Sequence, residues 1–271
     1  MTVQISFLGK ARQDPKTGYR PTRYVFDSGA EIETAFFGPA LAQVTRPSLL
    51  YILGTAGSMW DVLLESQGGE LASDEARLGL WERAAAGTVD NDLLEQFEPV
   101  IGERLGVQCR LRVISYADTL DAQTELVSQL AGWLEPGQQV TLDVTHGLRH
   151  LPMLMLAAAH YLERLRGVKV EEIYYGAMEM SAGGKTPVLK LSGLLRLLDW
   201  VQAISAFERD GDYARLTPLL KADGMPEETV ARLEDAAFYE QTTRPGQARG
   251  KIREFLKSTP ELEGTSGLFF G

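Results

Sequence analysis

A chain of 271 residues, 44% hydrophobic and 24% charged, is long enough for one large domain, or one domain and an appendage, around a sizeable core. The net charge of −10 makes the chain a poor candidate for non-specific nucleic-acid binding by a broad basic face, so a phosphate-bearing partner should be small and held in a local pocket. Cys109 is the only cysteine, which excludes a disulfide framework and a thiolate metal cluster within one chain, and its apolar setting fits buried filler.

Residues 3–8 alternate and then meet Gly9, which predicts a first strand. Residues 10–21 are polar and rich in turn formers, a loop carrying Lys10, Arg12, Lys16 and Arg20. A short strand is expected over 22–26 and a short helix over 34–44. Residues 48–53 are continuously apolar, the mark of a strand buried on both faces. They run into Gly54-Thr-Ala-Gly-Ser-Met-Trp-Asp61, a turn passing into a helix with Ser58 as the expected N-cap. Residues 73–105 read as helical. A strand over 109–114, a helix over 122–134, a strand over 140–145, an apolar helix over 151–165 and a strand over 170–175 follow. One more strand, over 187–191, pairs back through the turn at 181–184. Beyond 193 the pattern is helical only.

Strands alternating with helices, with continuous apolar strands among them, define an α/β class. The expected fold is a Rossmann-like, doubly wound, mostly parallel sheet over 1–192, with a small all-helical region over 193–271. The opening residues lack the long apolar core and cleavage site of a signal peptide, and the apolar run 151–162 is too short to span a bilayer. The expectation is a cytoplasmic protein without a membrane partner. The closing Gly-Thr-Ser-Gly-Leu-Phe-Phe-Gly271 has the look of an abrupt end, as in a longer natural protein.

The most informative stretch is Asp143-Val-Thr-His-Gly-Leu-Arg-His-Leu-Pro152. It carries an apolar strand into a polar turn and then into an apolar helix. That places a hydroxyl, two imidazoles, a guanidinium and unpaired N–H groups at the carboxyl end of a buried strand, a setting suited to phosphate. Gly147 permits close backbone approach, and Pro152 fits a first helical turn. The alternative is an ordinary strand-to-helix turn with solvated His and Arg. In an open parallel sheet, ligands bind outside the carboxyl ends of the strands. Four polar turns fall there, at 9–12, 54–60, 145–150 and 176–179. Lys10, Arg12 and Arg149 supply cation, and Thr55, Ser58 and Thr145 supply hydroxyls. Trp60 or Tyr175 offers a ring to a base, or else belongs to the core.

Familiar fingerprints are missing. No G-x-G-x-x-G follows the first strand, and Gly184-Lys-Thr186 reads as a hairpin turn because its upstream glycine is replaced by Glu179. No G-x-S-x-G elbow occurs. His146 and His150 could share a metal, but the one carboxylate near them at ligand spacing is Asp143, expected to point elsewhere at the end of its strand, so neither a metal nor a cofactor is expected. His160 on the apolar helix fits a core histidine, and Asp61 with Glu65 fits a solvated helix face.

These motifs in order (Phe7-Leu8-Gly9-Lys10, Tyr24-Val-Phe, Leu-Gly-Thr-x-x-Ser-Met-Trp-Asp61, Asp-Val-Thr-His-Gly-x-Arg-x-x-Pro152 and Tyr-Tyr-Gly-Ala177) resemble the CARF family. These are the CRISPR-associated Rossmann-like sensor domains of type III antiviral systems. The resemblance implies a homodimer binding cyclic tetra- or hexa-adenylate across its groove. By that resemblance the ring would be lined by Gly9, Lys10, Ala11 and Arg12, by Thr145, His146, Gly147, Leu148 and Arg149, and by Gly176 and Ala177. Gly54, Thr55, Ser58, Met59 and Trp60 would lie beside it.

Family members usually carry an effector after the sensor, often a HEPN ribonuclease with an Arg and His motif, but no His follows His160 here. Residues 193–271 are therefore a connector, a degenerate effector or the start of one. Two functions share the pocket: a sensor that relays occupancy, or a standalone ring nuclease. In the latter, Lys10, Thr145, His146 and Arg149 would align a ribose 2′-oxygen on the adjacent phosphorus and stabilise its charge without metal, leaving a 2′,3′-cyclic phosphate. A third class, a Rossmann-like enzyme on an unrelated mononucleotide or sugar nucleotide, would bind a free nucleotide as a monomer.

Overall fold

The computed structural model describes residues 1–10, 19–68 and 72–259. In chain order the elements are β1 (Thr2–Leu8), β2 (Thr22–Val25), β3 (Glu31–Thr34), α1 (Phe37–Thr45), β4 (Leu49–Gly54) and α2 (Trp60–Gly68). Then come α3 (Asp74–Ala86), α4 (Asn91–Glu95), α5 (Glu98–Leu105), β5 (Gln108–Val113), α6 (Leu120–Trp133), β6 (Gln139–Asp143) and α7 (His150–Arg166). The sheet is completed by β7 (Lys169–Gly176) and β8 (Lys185–Lys190), after which, among the described residues, only helices follow: α8 (Gly193–Asp210), α9 (Thr217–Ala222), α10 (Glu227–Gln241) and α11 (Pro245–Ser258).

The eight strands form one sheet in the order β3-β2-β8-β7-β6-β1-β4-β5. The five from β7 to β5 run parallel. Past β7 the sense changes: β8 is antiparallel to β7, β2 is parallel to β8, and β3 is antiparallel to β2. This is the mostly parallel α/β sheet that the alternation of elements predicts. β4 is buried along its whole length, and full burial of Leu50 or Leu53 is worth about 2 kcal/mol each. β1 is buried on both faces although it carries Gln4 and Ser6. Those two polar groups are satisfied internally: the Gln4 amide donates to the Gly38 carbonyl (2.8 Å) and to Ser6 Oγ (3.0 Å), and the Thr45 hydroxyl donates to Gln4 Oε1 (3.0 Å). The buried strand is thereby tied to both ends of α1.

Three local expectations need correction. The helix expected over 34–44 begins at Phe37, because Glu31–Thr34 is drawn off as an edge strand against β2. The strand expected to reach Thr145 ends at Asp143, whose Oδ1 accepts the Thr145 N–H (2.8 Å) and turns the chain. Ser58 does not cap α2. Its hydroxyl accepts the Thr55 N–H (2.9 Å) and donates to the Leu8 carbonyl (2.9 Å), so it ties the turn after β4 to the end of β1. Gly184-Lys185-Thr186 lies in a hairpin. Ala182 and Lys185 exchange both backbone bonds around Gly183 and Gly184, which hold φ of 58° and 77°.

The chain divides into two compact units between Ser192 and Gly193. The second unit has its own core, with Trp200, Leu216, Leu220, Val230, Leu233 and Phe255 packed together. Arg196 pairs there with the nearly buried Asp223. No helix among the described residues is long and apolar enough to cross a membrane.

Candidate ligand-binding site

After β1 and the edge pair β2 and β3, the chain builds β4 and β5 on one side of β1 and returns to build β6 and β7 on the other. The crevice between β1 and β6 is therefore the switch point of the sheet, where side elements leave room at the carboxyl ends. A cavity of about 510 Å³ opens there. Gly9, Lys10 and Tyr19 line one wall, residues 145–149 the floor, and Tyr175, Gly176, Met178 and Glu179 the far wall.

The floor is held by backbone bonds. Asp143 anchors the Thr145 N–H from below, and the Thr145 hydroxyl oxygen accepts the Gly176 N–H (2.8 Å), joining the ends of β6 and β7. Gly147 sits at φ 100°, where a side chain would be strained and would press on Phe7 at 3.0 Å. No side chain caps the first turn of α7, which follows with Arg149 at its N-cap position. Unpaired amides at a helix start favour an anion. Arg149 is exposed and makes no ion pair within the described residues.

Close packing keeps the cavity walls rigid. Gly176 is buried against Tyr24 and Phe37, and a Cβ on it would stand 2.5 Å from Tyr24 Cε1 and 3.2 Å from Phe37 Cδ2. Both rings are fully buried and cannot retreat. Gly176→Ala should therefore cost about 3 kcal/mol, the upper range for overpacking a tight core, read as a lowered urea midpoint at unchanged slope. A midpoint equal to the parent's would show that the aromatic pair yields freely.

His146 is at home in the wall rather than at the ligand. Its ring stacks flat on Tyr19, centroids 3.8 Å apart and planes within 6°, and its Nε2 accepts the Phe37 N–H at 3.3 Å. Burial pulls its pKa down to about 3, so the imidazole is neutral. Tyr19 in turn accepts the Gly9 N–H on its hydroxyl at 2.5 Å, and burial raises the phenol so that it stays protonated. Together Gly9, Tyr19 and His146 strap the end of β1 to the turn after β6. On the far wall the Tyr175 hydroxyl donates to Glu179 Oε2 (2.6 Å). That bond lowers the Glu179 pKa, with Arg149 adding to the effect, while burial and Glu179 push Tyr175 up to about 12.

The cavity thus collects Gly9, Lys10, Thr145, His146, Gly147, Leu148, Arg149 and Gly176 of the residues predicted from sequence. Ala177 is buried, its N–H donating to the Pro187 carbonyl, and does not line the cavity. Gly54, Thr55, Ser58, Met59 and Trp60 lie at the neighbouring turn and do not line it either. Thr55, Ser58, Met59 and Trp60 are buried, and the Trp60 indole N–H donates to the Thr55 carbonyl at 2.9 Å, so Trp60 is core and offers no face to a base. Their role is to brace: the Met59 N–H donates to the Gly9 carbonyl at 3.0 Å. Lys10 bridges the two places. It lines the cavity, yet its ammonium stands 3.4 Å from where a Cβ on Gly57 would be. Ala11 and Arg12 lie outside the described residues. Sequence reasoning missed Tyr19, whose only signal was an aromatic residue alone in a polar loop.

Two other groupings offer less. A cavity of about 560 Å³ beside β5 holds Glu98, Arg110 and Arg112, but Glu98 already accepts from both arginines (2.8 and 2.6 Å) and from the Leu111 N–H (2.9 Å). His150 lies in contact with Tyr116, its Nε2 bonded to the Tyr116 carbonyl at 2.7 Å. With His146 Nε2 also occupied, the two do not share a free ligand face, and no group of three potential metal ligands converges among the described residues.

An open, mostly parallel sheet with a cavity at its switch point defines a Rossmann-like α/β module. Residues 3–179 match the family described as the CARF domain of the CRISPR system endoribonuclease Csx1, and the chain belongs to that family. It is also similar to CRISPR-associated protein MJ1674 of Methanocaldococcus jannaschii, at 24% identity over 263 residues, covering 88% of this chain and 41% of that protein. The chain thus spans less than half the length of this relative.

Proposed function

We propose that the chain is a sensor for cyclic oligoadenylate in type III CRISPR signalling, binding the ring across a homodimer groove and passing occupancy to a C-terminal effector. The observation that carries this is the meeting of Lys10, Arg149 and the uncapped start of α7 at adjacent strand ends, in a protein of net charge −10. A small cationic rim of this kind suits a compact polyanion. The dimer draws support from α7, which leaves the cavity presenting Met153, Tyr161 and Leu165 to solvent at 75%, 49% and 63% exposure. One apolar row starting at the site is suited to a second copy, which would bring two cavities to one two-fold ligand.

Binding is favoured over ring cleavage by the state of His146, which is neutral, stacked and already uses Nε2 to accept a hydrogen bond from the Phe37 N–H, so it is not set up to take a proton. The helices from Gly193 onward contain no His, which fits a relay rather than ribonuclease chemistry. Calorimetry with the tetra- and hexa-adenylate rings, alongside light scattering, tests the proposal. The expected result is a dimer binding one ring per two chains. No heat with either ring, or a strictly monomeric protein, removes it. Chromatography of ring left with excess protein should return it intact, and linear products would instead make the chain a ring nuclease.

A further inference from the structure

The cavity has two chemically different walls. One holds Arg149 and the amides around Gly147, suited to phosphate. The other, carried by the turn after β7, holds the ring of Tyr175 and the carboxylate of Glu179. A carboxylate is the wrong charge for a phosphate pocket, and Glu179 is not consumed by Arg149: no ion pair joins them, although each lies in the other's field. Its Oε2 takes the Tyr175 hydroxyl, which fixes the carboxylate at the edge of the cavity beside Tyr175. A flat ring on Tyr175 with one outward N–H donor would complete this wall.

We propose that Tyr175 and Glu179 form the base-reading half of the site, with Tyr175 stacking on a purine and Glu179 accepting from its exocyclic amine. The inference rests on the cyclic oligoadenylate reading above and adds the residue that would select adenine. Glu179 is exposed and Tyr175 half-buried, so changes at Glu179 leave the fold intact.

The test compares the adenylate ring with a ring of purine riboside, which has the same charge and stacking face but no exocyclic amine. The parent protein is expected to prefer the adenylate ring by about ten-fold for each base read, the size of a hydrogen bond to a charged group. In Glu179→Gln the single amide oxygen is held by Tyr175, and an NH₂ faces the amine instead. The preference should then fall toward one, while both rings gain affinity from the lost negative charge. If Glu179 were only a repelling charge, both rings would gain equally and the preference would persist in the variant; that result overturns the inference. Equal binding of the two rings by the parent overturns it too, while leaving the sensor reading in place. No heat with either adenylate ring size removes the sensor reading and this inference together.

Discussion

Arg149→Ala is expected to weaken ring binding by about 10²- to 10⁴-fold while leaving the fold as stable as the parent. Each guanidinium that meets a phosphate contributes about 1.5–3 kcal/mol as a charge-assisted hydrogen bond, and a two-fold complex loses two of them at once. The fold is spared because Arg149 is exposed, caps nothing with its side chain and pairs with no carboxylate among the described residues. Arg149→Lys keeps the charge but loses the planar fork, so its affinity should fall between the two, about ten-fold below the parent. Calorimetry gives the affinities and urea titration the stabilities. Parent-like ring affinity in the alanine variant would mean that the phosphates sit elsewhere. A large drop in urea midpoint would mean that Arg149 holds the turn rather than a ligand.

Arg149 and its turn were readable in the sequence because their surroundings obey simple periodicities. A continuous apolar run only six residues long fits a strand covered on both faces, which β4 is, and glycine after a strand marks a place where backbone must come close, as at Gly9 and Gly147. What the chain did not disclose are features decided by tertiary contact. Glu31–Thr34 alternates charged and uncharged residues at an exposed edge, so no hydrophobic signal marks it, and only pairing with β2 makes it a strand. Thr55, Ser58 and Trp60 carry groups typical of a binding turn, yet their bonding to one another and to Leu8 turns them inward. His146 looks like a ligand or base by residue type. Its stacking partner Tyr19 lies far away in sequence, and the stack, with burial, makes it a neutral wall element. Polar residue types mark where chemistry can happen; the packing around each group decides which of them remain available for it.

Packing of two ionisable groups under the site also sets an expected pH response, in which opposite effects hide each other. Asp143 is fully buried, and burial raises its carboxyl from 3.8 to about 6 against the lowering effect of bonds from Thr145 and Ser6. An acid with a raised folded pKa contributes most below its unfolded value and loses that contribution as pH rises through 6, at a total of about 3 kcal/mol. His146 falls from 6.5 to about 3 on burial, so its contribution is full above 6.5 and lost as pH falls toward 3, at a total of about 5 kcal/mol. The neighbouring phenols of Tyr19 and Tyr24 stay protonated throughout this range. Where the two windows overlap, from 3.8 to about 6, the slopes oppose, and the parent should show little net dependence from this pair there. Single variants expose each half. Relative to the parent, Asp143→Asn, which keeps an oxygen for the Thr145 N–H, should gain about 3 kcal/mol as pH rises from 3.8 to 6. His146→Gln keeps an acceptor for the Phe37 N–H but loses the stack on Tyr19; whatever fixed cost that carries, its stability relative to the parent should climb as pH falls below 6.5. Urea midpoints across this range read both slopes directly. Curves parallel to the parent's for both variants would mean that water reaches these groups, and that the floor of the cavity is open where the packing of Asp143 beneath Thr145 requires it to be dry.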